Sequence, residues 1–191
     1  MTGRLTVIGT GPGDPAQMTP QAAQAAARAA EFFGYGPYLD RLSLGSHQVR
    51  HASDNREELA RAKAALARAA AGAEVCIVSG GDPGVFAMAA AVCEAIEAGP
   101  AEWRDLDVEI VPGVTAMLAV AARAGAPLGH DFCALSLSDN LKPWSWSKSG
   151  SRRRPAPASS SRSITRSARR GRGSLAAPSR CCPASSPPRR R

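Results

Sequence analysis

Val75-Cys76-Ile77-Val78-Ser79-Gly80-Gly81-Asp82-Pro83-Gly84-Val85-Phe86 is the stretch that decides how this chain folds. A short apolar run bounded by Gly, Asp and Pro reads as a buried strand ending in a tight loop. The pattern occurs twice more. Leu5–Ile8 runs into Gly9-Thr10-Gly11-Pro12-Gly13-Asp14-Pro15, and Asp107–Val111 runs into Pro112-Gly113-Val114-Thr115-Ala116. Phe132–Leu137 reads as a further strand. Alanine-rich stretches between these runs are expected as helices over Gln21–Glu31, Asn55–Ala71, about Ala87–Glu97 and Ala116–Ala124. Thr19-Pro20 supplies a cap and a first-turn proline for the first helix. Ser53 or Asp54 is placed to cap the second. Continuously apolar strands alternating with helices imply the α/β class, a mostly parallel sheet with helices on both faces. In such sheets ligands bind beyond the carboxyl ends of the strands, so the three glycine-bearing loops are the candidate site.

Charge is unevenly distributed. The chain has 191 residues and a formal net charge of +8. All 16 acidic residues precede position 140, whereas 13 of the 24 Lys and Arg lie in 144–191. The body is therefore acidic, and its composition argues against a specific nucleic-acid partner. No stretch is apolar enough to span a membrane. Met1–Leu5 runs straight into a strand, without a signal peptide. Cys76, Cys93 and Cys133 are expected as buried free thiols in a reducing cytoplasm, and Cys181-Cys182 falls in the tail. No cysteine pair in the body has metal-ligand spacing.

Each loop allows two readings. Gly9-x-Gly11-x-Gly13 departs from the dinucleotide fingerprint: Asp14 stands where the third glycine belongs, Pro15 follows, and the helix starts several residues later. No Gly-Lys-Ser/Thr follows, so it is not a phosphate loop of the Walker type. Taken alone it is either a turn or a site. Asp82, between glycines, either caps the next helix or accepts hydrogen bonds from a ligand hydroxyl or amine. Thr115 is either an N-cap or a ligand donor. His47, His51 and His130 are scattered, and no catalytic acid or base is assigned.

The ordered set of Gly9–Pro15, Gly80–Phe86 and Pro112–Ala116, each behind a strand, resembles the tetrapyrrole methylase family over residues 1 to about 143. The resemblance implies two α/β domains with S-adenosylmethionine bound in the cleft between them. It implies that Pro12 borders that cleft and that Gly80, Gly81, Asp82, Val85 and Phe86 wrap the methionine and ribose portions. Thr115 and Ala116 would contact the cofactor from the third loop. Gly11, Gly13 and Asp14 would face the tetrapyrrole. Within the family, Phe33–Leu39, Val75–Met88 and Gly129–Trp144 are similar to precorrin-3B C(17)-methyltransferases of cobalamin biosynthesis, which methylate C-17 and contract the macrocycle. The partner implied is a precorrin, and the intact family enzyme would be a cytoplasmic homodimer. Other members, acting on uroporphyrinogen III, another precorrin or diphthine, match the Gly129–Trp144 segment less well. Transfer of a sulfonium methyl group needs alignment and exclusion of water rather than a nucleophilic triad.

On this reading residues 1–113 form the first domain and 114–143 open the second. Residues 144–191 contain 13 Ser and 12 Arg and no acid, and are expected to be a disordered tail. A basic nucleic-acid-binding arm is one explanation. A one-base deletion near the Ser145 codon is the preferred one. Read in the offset frame, Trp146–Ser151 becomes an ordinary amphipathic helix start. With suitable codons, Ser163–Ala176 becomes a segment like one in the family's second domain. The second domain would then be truncated and the activity of this chain impaired, as in a pseudogene product.

Overall fold

The computed structural model describes residues 3–136 and residue 138. Five strands form one sheet: β1 (Arg4–Gly9), β2 (Glu31–Tyr35), β3 (Val49–Ser53), β4 (Glu74–Ser79) and β5 (Asp107–Val111). Their order is β3-β2-β4-β1-β5, and all neighbours are parallel. Between them run helices α1 (Pro20–Arg28), α2 (Gly36–Leu39), α3 (Glu58–Ala70) and α4 (Met88–Ala98), and α5 (Ala116–Arg123) follows β5.

The strand order explains which face each helix covers. The chain moves from β1 toward the β3 edge through α1, then back toward the β5 edge through α3 and α4. Right-handed crossovers in opposite directions put helices on opposite faces. Packing agrees. Leu5, Val7, Val75 and Ile77 meet Ala62, Leu66 and Ala69 of α3 and Val92 and Ala95 of α4. Ile8, Phe32, Cys76, Val78 and Val111 meet Ala22 and Ala25 of α1 and Leu39 of α2. Each fully buried Leu, Ile, Val or Phe contributes about 1.5–3 kcal/mol. The expected parallel, doubly covered sheet is what forms.

Several expected boundaries differ. The first helix stops at Arg28, and Glu31 opens β2 instead of closing a helix. The Thr19 cap forms, with its Oγ1 accepting the Ala22 N–H at 3.2 Å. The α3 cap does not: the helix begins behind Glu57 with no side-chain cap. Ser53 Oγ instead accepts from Arg61 Nε, and the Asp54 N–H donates to Glu57 Oε2. The strand expected at Phe132–Leu137 is absent over 131–136, and Leu137 lies outside the described residues. Phe132 is half-exposed there. Cys76 is buried as expected, but Cys93 and Cys133 are exposed. The expected tail at 144–191, its frame and its Cys181-Cys182 pair all lie outside the described residues. Among the described residues no helix is long and apolar enough to cross a membrane.

Candidate active site

Because β1, β4 and β5 are adjacent and parallel, the loops after them emerge at one edge of the sheet. They are joined there backbone to backbone. The Gly81 N–H donates to the Gly11 carbonyl at 2.8 Å, and the Gly11 N–H returns a bond to the Gly81 carbonyl at 3.2 Å. Gly11 and Gly81 have φ of 74° and 69°, a region that glycine enters without steric cost. A Cβ on Gly9 would come 2.5 Å from the Gly81 oxygen and 2.8 Å from Gly113 Cα. Three glycines from three loops therefore meet where no side chain fits.

Asp82 ties the second loop to the third. Its Oδ1 accepts the Gly84 N–H at 2.8 Å and its Oδ2 accepts the Gly113 N–H at 3.0 Å. It does not cap α4, which starts behind Ala87 without a side-chain cap. Each carboxylate oxygen still has acceptor capacity for a ligand hydroxyl or amine. Thr115 does cap its helix: Oγ1 accepts the Leu118 N–H at 3.2 Å. Its hydroxyl hydrogen is still available to donate, so the cap and donor readings of Thr115 are compatible. Asp14 Oδ1 accepts the Ala16 N–H at 2.9 Å and tightens the first loop.

Apolar groups flank this polar seam. Val85 is 39% exposed and Phe86 51% exposed. Phe86 has φ of 54°, unusual for a bulky residue, and strain of this kind concentrates where the surroundings hold a group in place for binding. The structure thus brings Gly11, Gly80, Gly81, Asp82, Val85, Phe86, Thr115 and Ala116 to one edge, with Pro12, Gly13 and Asp14 on the outer arm of the first loop. Sequence reading gave Gly9 and Gly113 no individual role, yet they let the loops close. Their place in Gly-rich strand ends was the available signal.

Among known proteins, the family model described as Tetrapyrrole (Corrin/Porphyrin) Methylases matches residues 4–165. The chain belongs to this methylase family. It is 74% identical over 144 residues to a precorrin-3B C(17)-methyltransferase of Sinorhizobium sp, covering 75% of this chain and 57% of that protein. It is 42% identical over 142 residues to a probable cobalt-factor III C(17)-methyltransferase of Salmonella typhimurium, covering 73% of this chain and 57% of that protein. The methylase chain thus spans somewhat over half the length of these relatives. Its fold matches the crystal structure of the methyltransferase CobJ with a TM-score of 0.75 and 52% identity, over 78% of this chain and 62% of that one. It also matches a uroporphyrin-III C-methyl transferase from Thermus thermophilus complexed with S-adenosyl homocysteine, with a TM-score of 0.51 and 27% identity over 70% of this chain and 58% of that one.

Proposed function

We propose that the chain is the donor-binding lobe of an S-adenosylmethionine-dependent methylase that acts on precorrin-3B at C-17 with ring contraction. The observation that carries this reading is the glycine seam that joins the three loops at one edge of the sheet. The residues present fit the donor. Asp82 offers acceptor oxygens to ribose hydroxyls or the amino group, and the Gly81 and Gly84 backbone permits close approach. Val85 and Phe86 offer apolar surface beside it, and Thr115 keeps a donor. Pro12 would border the cleft, and Ala116 would meet the donor from the third loop. S-adenosylmethionine, when bound, supplies a sulfonium methyl group that needs no further activation. What remains for the protein is to hold two reactants in line and exclude water. Gly11, Gly13 and Asp14 would face the tetrapyrrole from the first loop.

In domain terms we infer 1–113 as the first lobe and 114–143 as the start of the second. Only Ala121 of α5 is buried, as suits an element that belongs with another lobe. The family resemblance supports a cytoplasmic homodimer for the intact enzyme. The offset-frame reading of 144–191 leaves this chain with one wall of the cleft. Its affinity for S-adenosylmethionine is then weaker than a Kd of roughly 0.1 mM. Calorimetry on the purified 191-residue chain tests this, and micromolar binding would contradict it. Product analysis with the gene restored to the offset frame tests the substrate: methylation at C-17 is expected, and methylation of another carbon or macrocycle overturns that part.

A further inference from the structure

A second niche lies on the opposite flank of the Gly80–Phe86 loop. The sheet order sets β1 and β5 on one side of β4 and β2 and β3 on the other. Adjacent glycines face these two flanks. An added Cβ on Gly81 meets Ala116 and Thr115, whereas one on Gly80 comes 2.7 Å from the Tyr38 ring. On the Tyr38 side a cavity of about 210 Å³ lies among Tyr35, Tyr38, Asn55, Glu58, Arg61 and the Val85–Met88 stretch.

Arg61 is the unusual group there. It is 5% exposed, yet every acceptor it uses is uncharged. Nε donates to Ser53 Oγ at 2.8 Å, Nη2 to the Asp54 carbonyl at 2.6 Å and Nη1 to Met88 Sδ at 3.3 Å. No described carboxylate forms an ion pair with it. A guanidinium has five N–H donors, so each Nη still has one to give. Burial lowers the Arg61 pKa, and the nearby charges of Glu58, Glu57 and Asp54, none within ion-pair distance, offset this only in part. Burial pushes the Glu58 carboxyl up, and the Arg61 charge draws it partly back down. A guanidinium whose hydrogen bonds all go to uncharged acceptors keeps donors for an incoming anion.

We propose that the Arg61 cavity receives one carboxylate arm of the tetrapyrrole, and so sets the macrocycle's orientation against the donor loops. This rests on the methylase reading above and names a residue that reading does not use. Size supports an arm over a ring: pockets for drug-sized molecules enclose roughly 300–1,000 Å³, and this one holds about 210 Å³. A planar, two-pronged donor suits a carboxylate. Carboxylates could come from a tetrapyrrole arm or from the methionyl end of the donor. Val85 and Phe86 border both niches, but the polar donor-side groups Asp82 and Thr115 lie across the loop, which favours the arm, and the two probes below separate the sources.

The chain supplies its own local reporter. Tyr35 and Tyr38 are its two tyrosines, and both line the cavity. Labelling the full chain with 3-fluorotyrosine therefore gives two fluorine resonances at the site, blind to adventitious binding elsewhere. Uroporphyrin I, a polycarboxylate tetrapyrrole, is titrated as the probe, with S-adenosylhomocysteine as a separate arm. A saturable shift with uroporphyrin is expected. Arg61→Gln should weaken it about tenfold, with Arg61→Lys between. Glu58→Gln, which removes a repelling charge, should tighten it a fewfold. Unchanged uroporphyrin affinity in both Arg61→Gln and Glu58→Gln, or no saturable shift in the parent chain, overturns the proposal. A loss confined to S-adenosylhomocysteine reassigns the carboxylate to the donor and overturns it too. Should Arg61→Gln fail to fold, Glu58→Gln decides: tighter binding supports the pocket, and unchanged or weaker binding sinks it. S-adenosylhomocysteine failing to bind the parent chain counts against the donor reading alone, because the uroporphyrin series stands on its own signals.

Discussion

Gly113 has no room for a side chain. An added Cβ would lie against the Gly81 carbonyl oxygen and 2.9 Å from Gly9 Cα, with backbone on both sides. Gly113→Ala should therefore cost about 1–3 kcal/mol in urea unfolding and part the third loop from the second. Gly129, with nothing within 4 Å of its added Cβ, is the contrast. Gly129→Ala should stay within about 0.5 kcal/mol of the parent, and equal losses at both sites would remove the packing explanation. The thiols separate in a similar way. Burial pushes the Cys76 thiol up, so it is neither accessible nor ionised near neutrality. Peptide-mapped alkylation of the native protein should modify Cys93 and Cys133 and spare Cys76 until denaturant is added. Early labelling of Cys76 would mean that the sheet opens readily.

At the scale of elements, β2 and β3 are held together partly by a charge cluster at their N-terminal end. Arg68 of α3 reaches Glu31 with Nε 3.0 Å from each carboxylate oxygen, and His51 Nε2 lies 3.0 Å from Glu31 Oε2 while stacking on Phe33. The Arg68 hydrogen bonds lead in holding the Glu31 pKa below its usual value, helped by His51 and opposed by burial. A lowered carboxylate pKa stabilises the fold above the unfolded value of about 4.3 and loses that contribution as pH falls through the folded pKa. Glu31→Gln should lower stability near pH 7 by about 1 kcal/mol. It should also flatten the acid limb of a stability–pH profile; an unchanged acid limb would show that Glu31 titrates as it does unfolded. This corner was hidden in the sequence. Val49-Arg50-His51-Ala52-Ser53 is an edge strand, half polar, and lacks the continuous apolar run that marked β1, β4 and β5. Glu31 looked like the end of an alanine-rich helix. Phe132–Leu137 had the composition of a strand, but no strand forms over its described residues. The three glycine loops were legible because their backbone conformations demand particular residues at particular places. The bond from Gly113 to Asp82 was not, because it joins positions 31 apart through tertiary contact. Arg61 was hidden for a different reason: in a helix rich in Ala, Arg and Glu it reads as one more solvated charge.

For the whole molecule, the exposed large apolar residues include four on late segments, Ile110 of β5, Leu118 and Val120 of α5, and Phe132, beside Val49, Leu59, Val85 and Phe86 earlier in the chain. A monomeric body that exposes such residues tends to associate. The purified chain should bind a hydrophobic dye and sediment as oligomers, and a version restored to the offset frame after Ser145 should do neither. Persistent dye binding by the restored protein would contradict the truncated-lobe reading. The gene decides the frame directly: the codons for 145–180, read one base earlier, should be free of stops and encode a family-like segment. The joining of three glycine loops into one donor-binding edge is tested most directly by an amide NMR titration of the full chain with S-adenosylhomocysteine, carried to millimolar concentration. Saturable shifts confined to residues 9–14, 80–86 and 113–116 are expected. Shifts centred on the opposite edge, around Glu31 and Arg68, or no saturable shift at all, would contradict it.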